Sequence, residues 1–217
     1  MKYIFGIILL ISFVYAGGQT ICDADSDCFY IPDTSLASER LPALIILSCT
    51  GATERDIDSV RLIGDSLRII LATCHESRNH RNVFLNDRDI MKTLEKLLTD
   101  YPTDPSMVFI YGFSGQGVQA LMALFKHPNS FKGVISACGH TGAMSTAQWF
   151  RLADKRIYLI SRKKDWNLDE NRLMHNLFIS NNVRDTMLIT PGKHAPATSK
   201  ELLNAGIWLL NIPALDK

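Results

Sequence analysis

An excess of one charge is what this sequence most lacks: 23 Lys and Arg stand against 22 Asp and Glu, for a formal net charge of +1. A nucleic-acid-binding surface as the main business of the chain is thereby excluded, because it needs a basic surplus. Past the first segment there is no apolar run long enough to span a bilayer. Cysteine is scarce and odd in number, with Cys22, Cys28, Cys49, Cys74 and Cys138. The close paired spacing of zinc ligands is absent, so no metal is expected, although His75 and His140 stand beside Cys74 and near Cys138. Repeats, low-complexity tracts and linkers are missing too. One domain is therefore expected, and a hydrophobic fraction of 47% is enough for its core.

The first residues, "MKYIFGIILLISFVYAGGQT", read as a targeting segment. Lys2 gives a positive start, and Ile4 to Val14 is an apolar run of about eleven residues, the length of a signal-peptide core. Val14, Tyr15 and Ala16 suit a peptidase cut before Gly17. The expected division is a signal peptide at 1–16 and one domain at 17–217, secreted or periplasmic, with no membrane span after cleavage. An uncleaved anchor is the alternative. Export implies an oxidising compartment, where Cys22 and Cys28 can close a small loop and an odd count leaves at least one thiol over.

Along the remaining chain, short apolar runs alternate with helical patterns. Strands are expected at "CFYIP", "PALIILS", "RIILAT", "MVFIY", "GVISA", "RIYLIS" and "TMLIT". Ile57, Val60, Ile63 and Leu67 recur at helical spacing, as do Ile90, Leu94, Leu97 and Tyr101, with Pro102 and Pro105 ending the second pattern. Further helices are expected after Ser114, over Ser145 to Ala153, around Leu173 to Phe178, and in "SKELLNAGIWLL". Such alternation implies βαβ units and a mostly parallel sheet, whose sites lie at the C-terminal ends of the strands.

At one such end stands "YGFSGQG". Ser114 follows a strand and opens a helix among glycines, the setting in which a sharp turn lifts a hydroxyl clear of a sheet. The N–H of Gly115 then faces any oxyanion formed beside Ser114. A serine needs a base, and the base needs an orienting acid. His194 follows the last strand in "TPGKHAPAT", and Asp165 follows the preceding one in "ISRKKDWNLDE". Asp169 is the rival acid, and it equally suits the start of the next helix.

These motifs together resemble the α/β-hydrolase superfamily. The likeness is to small esterases of the phospholipase/carboxylesterase kind, and to secreted feruloyl-esterase and polyhydroxybutyrate-depolymerase-like enzymes. It covers about Phe29 to Leu210, through "FYIP", "LPALIILSCTGA", "GFSGQG", "DWN" and "GKH". It implies a single-domain α/β-hydrolase fold, with a mostly parallel central sheet, helices on both faces and no sizeable lid. It also implies an acyl-enzyme mechanism with a Ser114, His194 and Asp165 triad and no cofactor.

Two departures stand out. Gln116 occupies the fifth place of the usual Gly-x-Ser-x-Gly, with Gly117 after it. Ser48 and Cys49 replace the His-Gly that usually ends the oxyanion strand, and in that register the Thr50 N–H becomes the second oxyanion donor. In a sheet of this fold the strands before Cys49 and Cys74 are neighbours, so a Cys49–Cys74 disulfide is one expectation and two small buried side chains the other. Arg78, His80 and Arg81 form either a contact for an acidic or sugar-linked substrate or an exposed polar loop. Trp166 either walls the pocket or packs.

The expected activity is hydrolysis of a small-molecule or polymer-linked carboxylic ester. The rivals are a prolyl-oligopeptidase-type serine peptidase, which shares fold and triad, and a non-catalytic binding protein on the same scaffold.

Overall fold

Apolar residues on both faces of each central strand dictate a sheet that must be covered twice. In the computed structural model, which describes residues 18–33 and 39–212, an eight-stranded sheet meets that demand. The expected leader at 1–16 lies outside the described residues, as does Gly17. Among the described residues no helix is long and apolar enough to cross a membrane.

The strands are β1 (Gln19–Cys22), β2 (Cys28–Ile31), β3 (Leu41–Leu47), β4 (Ile70–Thr73), β5 (Thr103–Phe113), β6 (Gly133–Ala137), β7 (Arg156–Lys164) and β8 (Arg184–Lys193). Their spatial order is β1-β2-β4-β3-β5-β6-β7-β8. β1 pairs antiparallel with β2, and β2 antiparallel with β4, while every pair from β4 to β8 is parallel. The helices are α1 (Glu54–Leu67), α2 (Val83–Asp100), α3 (Gly115–Lys126), α4 (Leu168–Ser180) and α5 (Ser199–Leu210).

Alternate residues of the strands feed two cores. Ile45, Ile110, Val134 and Leu159 pack under α2, α3 and α4, with Leu94, Leu121 and Phe178. Ile46, Phe109, Ile135 and Ile160 face the other way, beneath Ile57 and Val60 of α1 and Leu202 and Leu209 of α5. Each such side chain, fully buried, stabilises the fold by roughly 1.5–3 kcal/mol. Local signals set the helix starts. The Thr53 N–H donates to Asp56 Oδ2 at 2.8 Å ahead of α1, Asn82 Oδ1 accepts the Phe84 N–H at 2.8 Å in α2, and Thr198 and Glu201 form a capping box for α5.

The structure departs from the sequence reading in several places. β1 was not expected, because its four residues are mostly exposed and carry no apolar alternation. It is held to β2 by ladder pairs and by a Cys22–Cys28 disulfide. β5 begins at Thr103 rather than Met107. Its register against β3 shifts between Leu41 and Ala43, an irregularity that accommodates Pro105, which has no N–H for a ladder. β8 runs on through Pro191 for the same reason, since it lies at the edge of the sheet.

The helix expected over Ser145 to Ala153 is absent. Two short 3-10 turns, Thr141–Thr146 and Trp149–Arg151, stand there. Packing decided this: Ala143 and Leu152 are fully buried and Trp149 packs on Phe178, while Phe150 is 83% exposed, so no helical stripe faces the core. This connection, Cys138 to Lys155, is the longest at the C-terminal edge of the sheet among the described residues, and it forms no lid domain.

Candidate active site

The backbone at Ser114 takes φ 56° and ψ −125°, a left-handed conformation that a side chain rarely adopts. Its N–H donates to Ala137 O of β6 at 2.8 Å, and its carbonyl accepts the Gly117 N–H at 2.9 Å, so the turn is fixed from both sides. Small residues are obligatory here. A Cβ on Gly112 would stand 2.1 Å from Gln116 O, and one on Gly117 would stand 2.9 Å from Ser136 Oγ. Gly117 thus takes the packing place that Gln116 vacates.

β7 and β8 deliver the other two groups. His194 Nε2 lies 2.9 Å from Ser114 Oγ, and His194 Nδ1 lies 3.0 Å from Asp165 Oδ1. The Asp165 side chain is fully buried and that of His194 nearly so. Burial works against the Asp165 charge, but the Cys138 thiol, the Asn167 N–H at 2.9 Å and His194 outweigh it, and the carboxyl titrates below its ordinary value. With Asp165 ionised, Nδ1 carries the ring proton and Nε2 is left to accept one from the serine. Trp166 stacks on the imidazole at 3.8 Å between ring centres, and Phe113 lies against it at 4.9 Å, so the ring has little freedom to turn.

The other sequence candidates fall differently. Asp169 is 92% exposed and pairs with Arg172, in the first turn of α4. Arg81 turns inward to Asp89 at 2.6 Å and Arg78 leans on Glu76 at 3.7 Å, while His80 is exposed. Thr50 is exposed in a turn closed by the Gly51 N–H on Ser48 O, and it makes no hydrogen bond to Ser114, Asp165 or His194. Gly115 opens α3 directly after the serine.

Cys49 and Cys74 are free, which corrects the disulfide expectation. The Cys74 N–H pairs with Ile46 O, so Cys49 lies three residues further on, and its sulfur turns to Phe113 O on the opposite side of β3. The cysteine–histidine set does not gather either. Among the described residues the one grouping of three metal-ligand types is Cys138 with Asp165 and His194, within 4.8 Å of one another. Both nitrogens of His194 are already engaged there. Burial, followed by the neighbouring carboxylate, pushes the Cys138 thiol up to about 12.

Residues that the sequence did not flag hold the site together. Arg162, on β7, grips Glu201 of α5 with two contacts of 2.7 and 2.9 Å, and also donates to Thr190 Oγ1 and Pro196 O. Those last two partners flank His194, so one guanidinium fixes the histidine loop. Asn79, Ser77 and Gln116 form a second network, over the elbow.

The sheet order, the strained turn at Ser114 and the line of hydrogen bonds through His194 to Asp165 define an α/β-hydrolase fold. Family comparison matches residues 80–194 to the prolyl oligopeptidase family, more than half of the chain, and the chain belongs to that family. Comparison with curated proteins finds no match. Among solved structures, an S-formylglutathione hydrolase from Staphylococcus aureus is 12% identical with a TM-score of 0.68, covering 89% of this chain and 95% of that one. A ferulic acid esterase is 12% identical with a TM-score of 0.67, covering 90% and 96%. A dipeptidyl peptidase 4 from Porphyromonas gingivalis is 14% identical with a TM-score of 0.63, covering 89% of this chain and 35% of that one. At such identities the likeness is one of fold.

Proposed function

We propose that the chain is an exported serine hydrolase that cleaves carboxylic esters through an acyl-enzyme. The observation that carries this reading is the pair of contacts on His194, 2.9 Å to Ser114 Oγ and 3.0 Å to Asp165 Oδ1. Ser114 Oγ attacks the acyl carbon as His194 Nε2 takes its proton. The same proton passes to the leaving alcohol, and water, activated in turn by His194, releases the acid. Asp165 holds the tautomer and balances the imidazolium. Gly115 and Thr50 offer N–H groups to the oxyanion, with the start of α3 adding a favourable dipole. The substrate is a small-molecule or polymer-linked ester. Similarity in fold to an S-formylglutathione hydrolase and a ferulic acid esterase supports this choice, as does a site with no lid domain over it among the described residues.

Export is supported by the apolar leader pattern in the sequence and by the Cys22–Cys28 pair, which suits an oxidising compartment. The second reading is a serine peptidase, favoured by the family match over residues 80–194. A panel of esters and peptide amides, run on wild type beside Ser114→Ala, separates the two. Hydrolysis of alkyl esters with inert peptide amides supports the ester reading. Amide turnover at comparable kcat/KM overturns it, and a wild type inert on both panels points to a binding protein.

A further inference from the structure

Cys49, at the end of β3, stands where a glycine usually lets the chain turn the following N–H, here that of Thr50, toward the oxyanion, and its sulfur lies 3.4 Å from Phe113 O, folded against the elbow. The loop after β4 reaches across this point. The Asn79 N–H donates to Cys49 O at 2.9 Å, which ties that loop to the end of β3. The Asn79 side chain is thereby laid over the first residue of α3. A Cβ on Gly115 would stand 2.6 Å from Asn79 Oδ1 and 3.2 Å from Nδ2. A side chain at position 115 would have to displace the Asn79 carboxamide, which already fills the space beside it.

The amide is also oriented. Ser77 Oγ donates to Gln116 Oε1 at 2.7 Å, and Gln116 Nε2 donates to Asn79 Oδ1 at 3.4 Å. Ser77 is fully buried and Gln116 is 2% exposed. Burying two polar side chains at a turn costs free energy unless their hydrogen bonds are made, and here each is spent on the next residue. The chain ends at Asn79, whose oxygen is used as an acceptor. Gln116 engages only that oxygen, and Asn79 Nδ2, 3.2 Å from the Cβ position of Gly115, lies beside the Cys49 sulfur. The unusual Gln116 of the serine motif gains a purpose from this: it holds the oxygen of the Asn79 amide and leaves the nitrogen as the free donor of the pair.

We propose that Asn79 Nδ2 is a side-chain donor to the oxyanion formed at Ser114, acting beside the Gly115 N–H. The proposal rests on the ester-hydrolase reading of the same site. An amide N–H aimed at developing charge stabilises the transition state more than the ground state, so its loss appears in kcat.

The test measures kcat and KM on p-nitrophenyl acetate for wild type, Asn79→Ala and Asn79→Asp, with melting curves for each. Both variants are expected to lose about 10²–10³ in kcat with KM within about threefold. Asn79→Asp keeps the size of the side chain but sets a carboxylate beside the forming oxyanion, so it should be at least as slow as Asn79→Ala. Either variant retaining kcat within about threefold of wild type overturns the role, and a near-normal Asp variant beside a slow Ala variant assigns the residue to packing. If Asn79→Ala does not fold, the isosteric Asp variant decides. Wild type inert on the ester fells the parent reading, whereas an active wild type with unaffected variants fells this proposal alone.

Discussion

Arg162 and Glu201 meet through two parallel contacts of 2.7 and 2.9 Å, with the arginine side chain 5% exposed and the glutamate 12%. The pair joins the end of β7 to the first turn of α5, and the histidine loop between them hangs from the same guanidinium at Pro196 O. Removing one partner leaves the other charged and buried. Arg162→Met is therefore expected to destabilise the fold by about 3–5 kcal/mol and to lower kcat, whereas Arg162→Met with Glu201→Leu recovers much of the stability. Thermal melts and ester kinetics on the single and double variants check this; a single variant as stable as wild type contradicts it.

The same pair sets a pH dependence. Burial raises the Glu201 pKa, but the Thr198 N–H, Arg162 and Thr190 prevail, and the group titrates below its ordinary 4.5. A depressed carboxylate stabilises the folded state above its unfolded pKa, and that contribution is lost as pH falls through the folded value. The difference in Tm between wild type and Glu201→Gln should accordingly be full at pH 7 and shrink as pH falls below about 4.5. A difference that stays constant from pH 7 to about pH 3 speaks against this linkage.

Two aspartates compete for one role, and the structure places them very differently. Asp165→Asn keeps the shape of the acid but favours the wrong imidazole tautomer, with an expected loss of about 10⁴ in kcat. Asp169→Asn, on an exposed helix turn, is expected to stay within about twofold, as surface changes usually do. Steady-state kinetics on both variants decides, and the reverse ranking would transfer the acid role.

Thiol chemistry offers an independent check. With Cys22 bonded to Cys28 and Cys49, Cys74 and Cys138 free, denatured non-reduced protein should titrate three thiols, and peptide mapping should show one cross-link. A single free thiol would restore the Cys49–Cys74 bridge. In the folded protein Cys74 should react slowly with alkylating agents, since burial pushes its thiol up to about 12.

How far the sequence reaches can be judged residue by residue. The central strands are legible because parallel strands covered on both faces are continuously apolar, and Ser114, Asp165 and His194 stand out as chemistry-bearing residues just past β5, β7 and the edge strand β8. Such signals are local. β1 is four mostly exposed residues that gain their order from β2 and a disulfide, which no periodicity announces. The segment from Thr141 to Arg151 has residues fit for a helix but is shaped by the surfaces of α3 and α4. Arg162 looks like one cation in a basic stretch, and its partner is 39 residues away. Gln116 registers only as a departure from a motif until Ser77 and Asn79 are seen around it. What the sequence conceals is the set of polar contacts between distant segments, because burial and partner are decided together by the tertiary fold.

The central claim concerns an activated hydroxyl, and a fluorophosphonate probe interrogates it directly. Folded wild type should be labelled at Ser114 alone, as located by peptide mass mapping, with labelling abolished in Ser114→Ala and slowed by orders of magnitude in His194→Ala. A folded protein that takes up no probe, or that takes it up equally well without His194, would contradict the account.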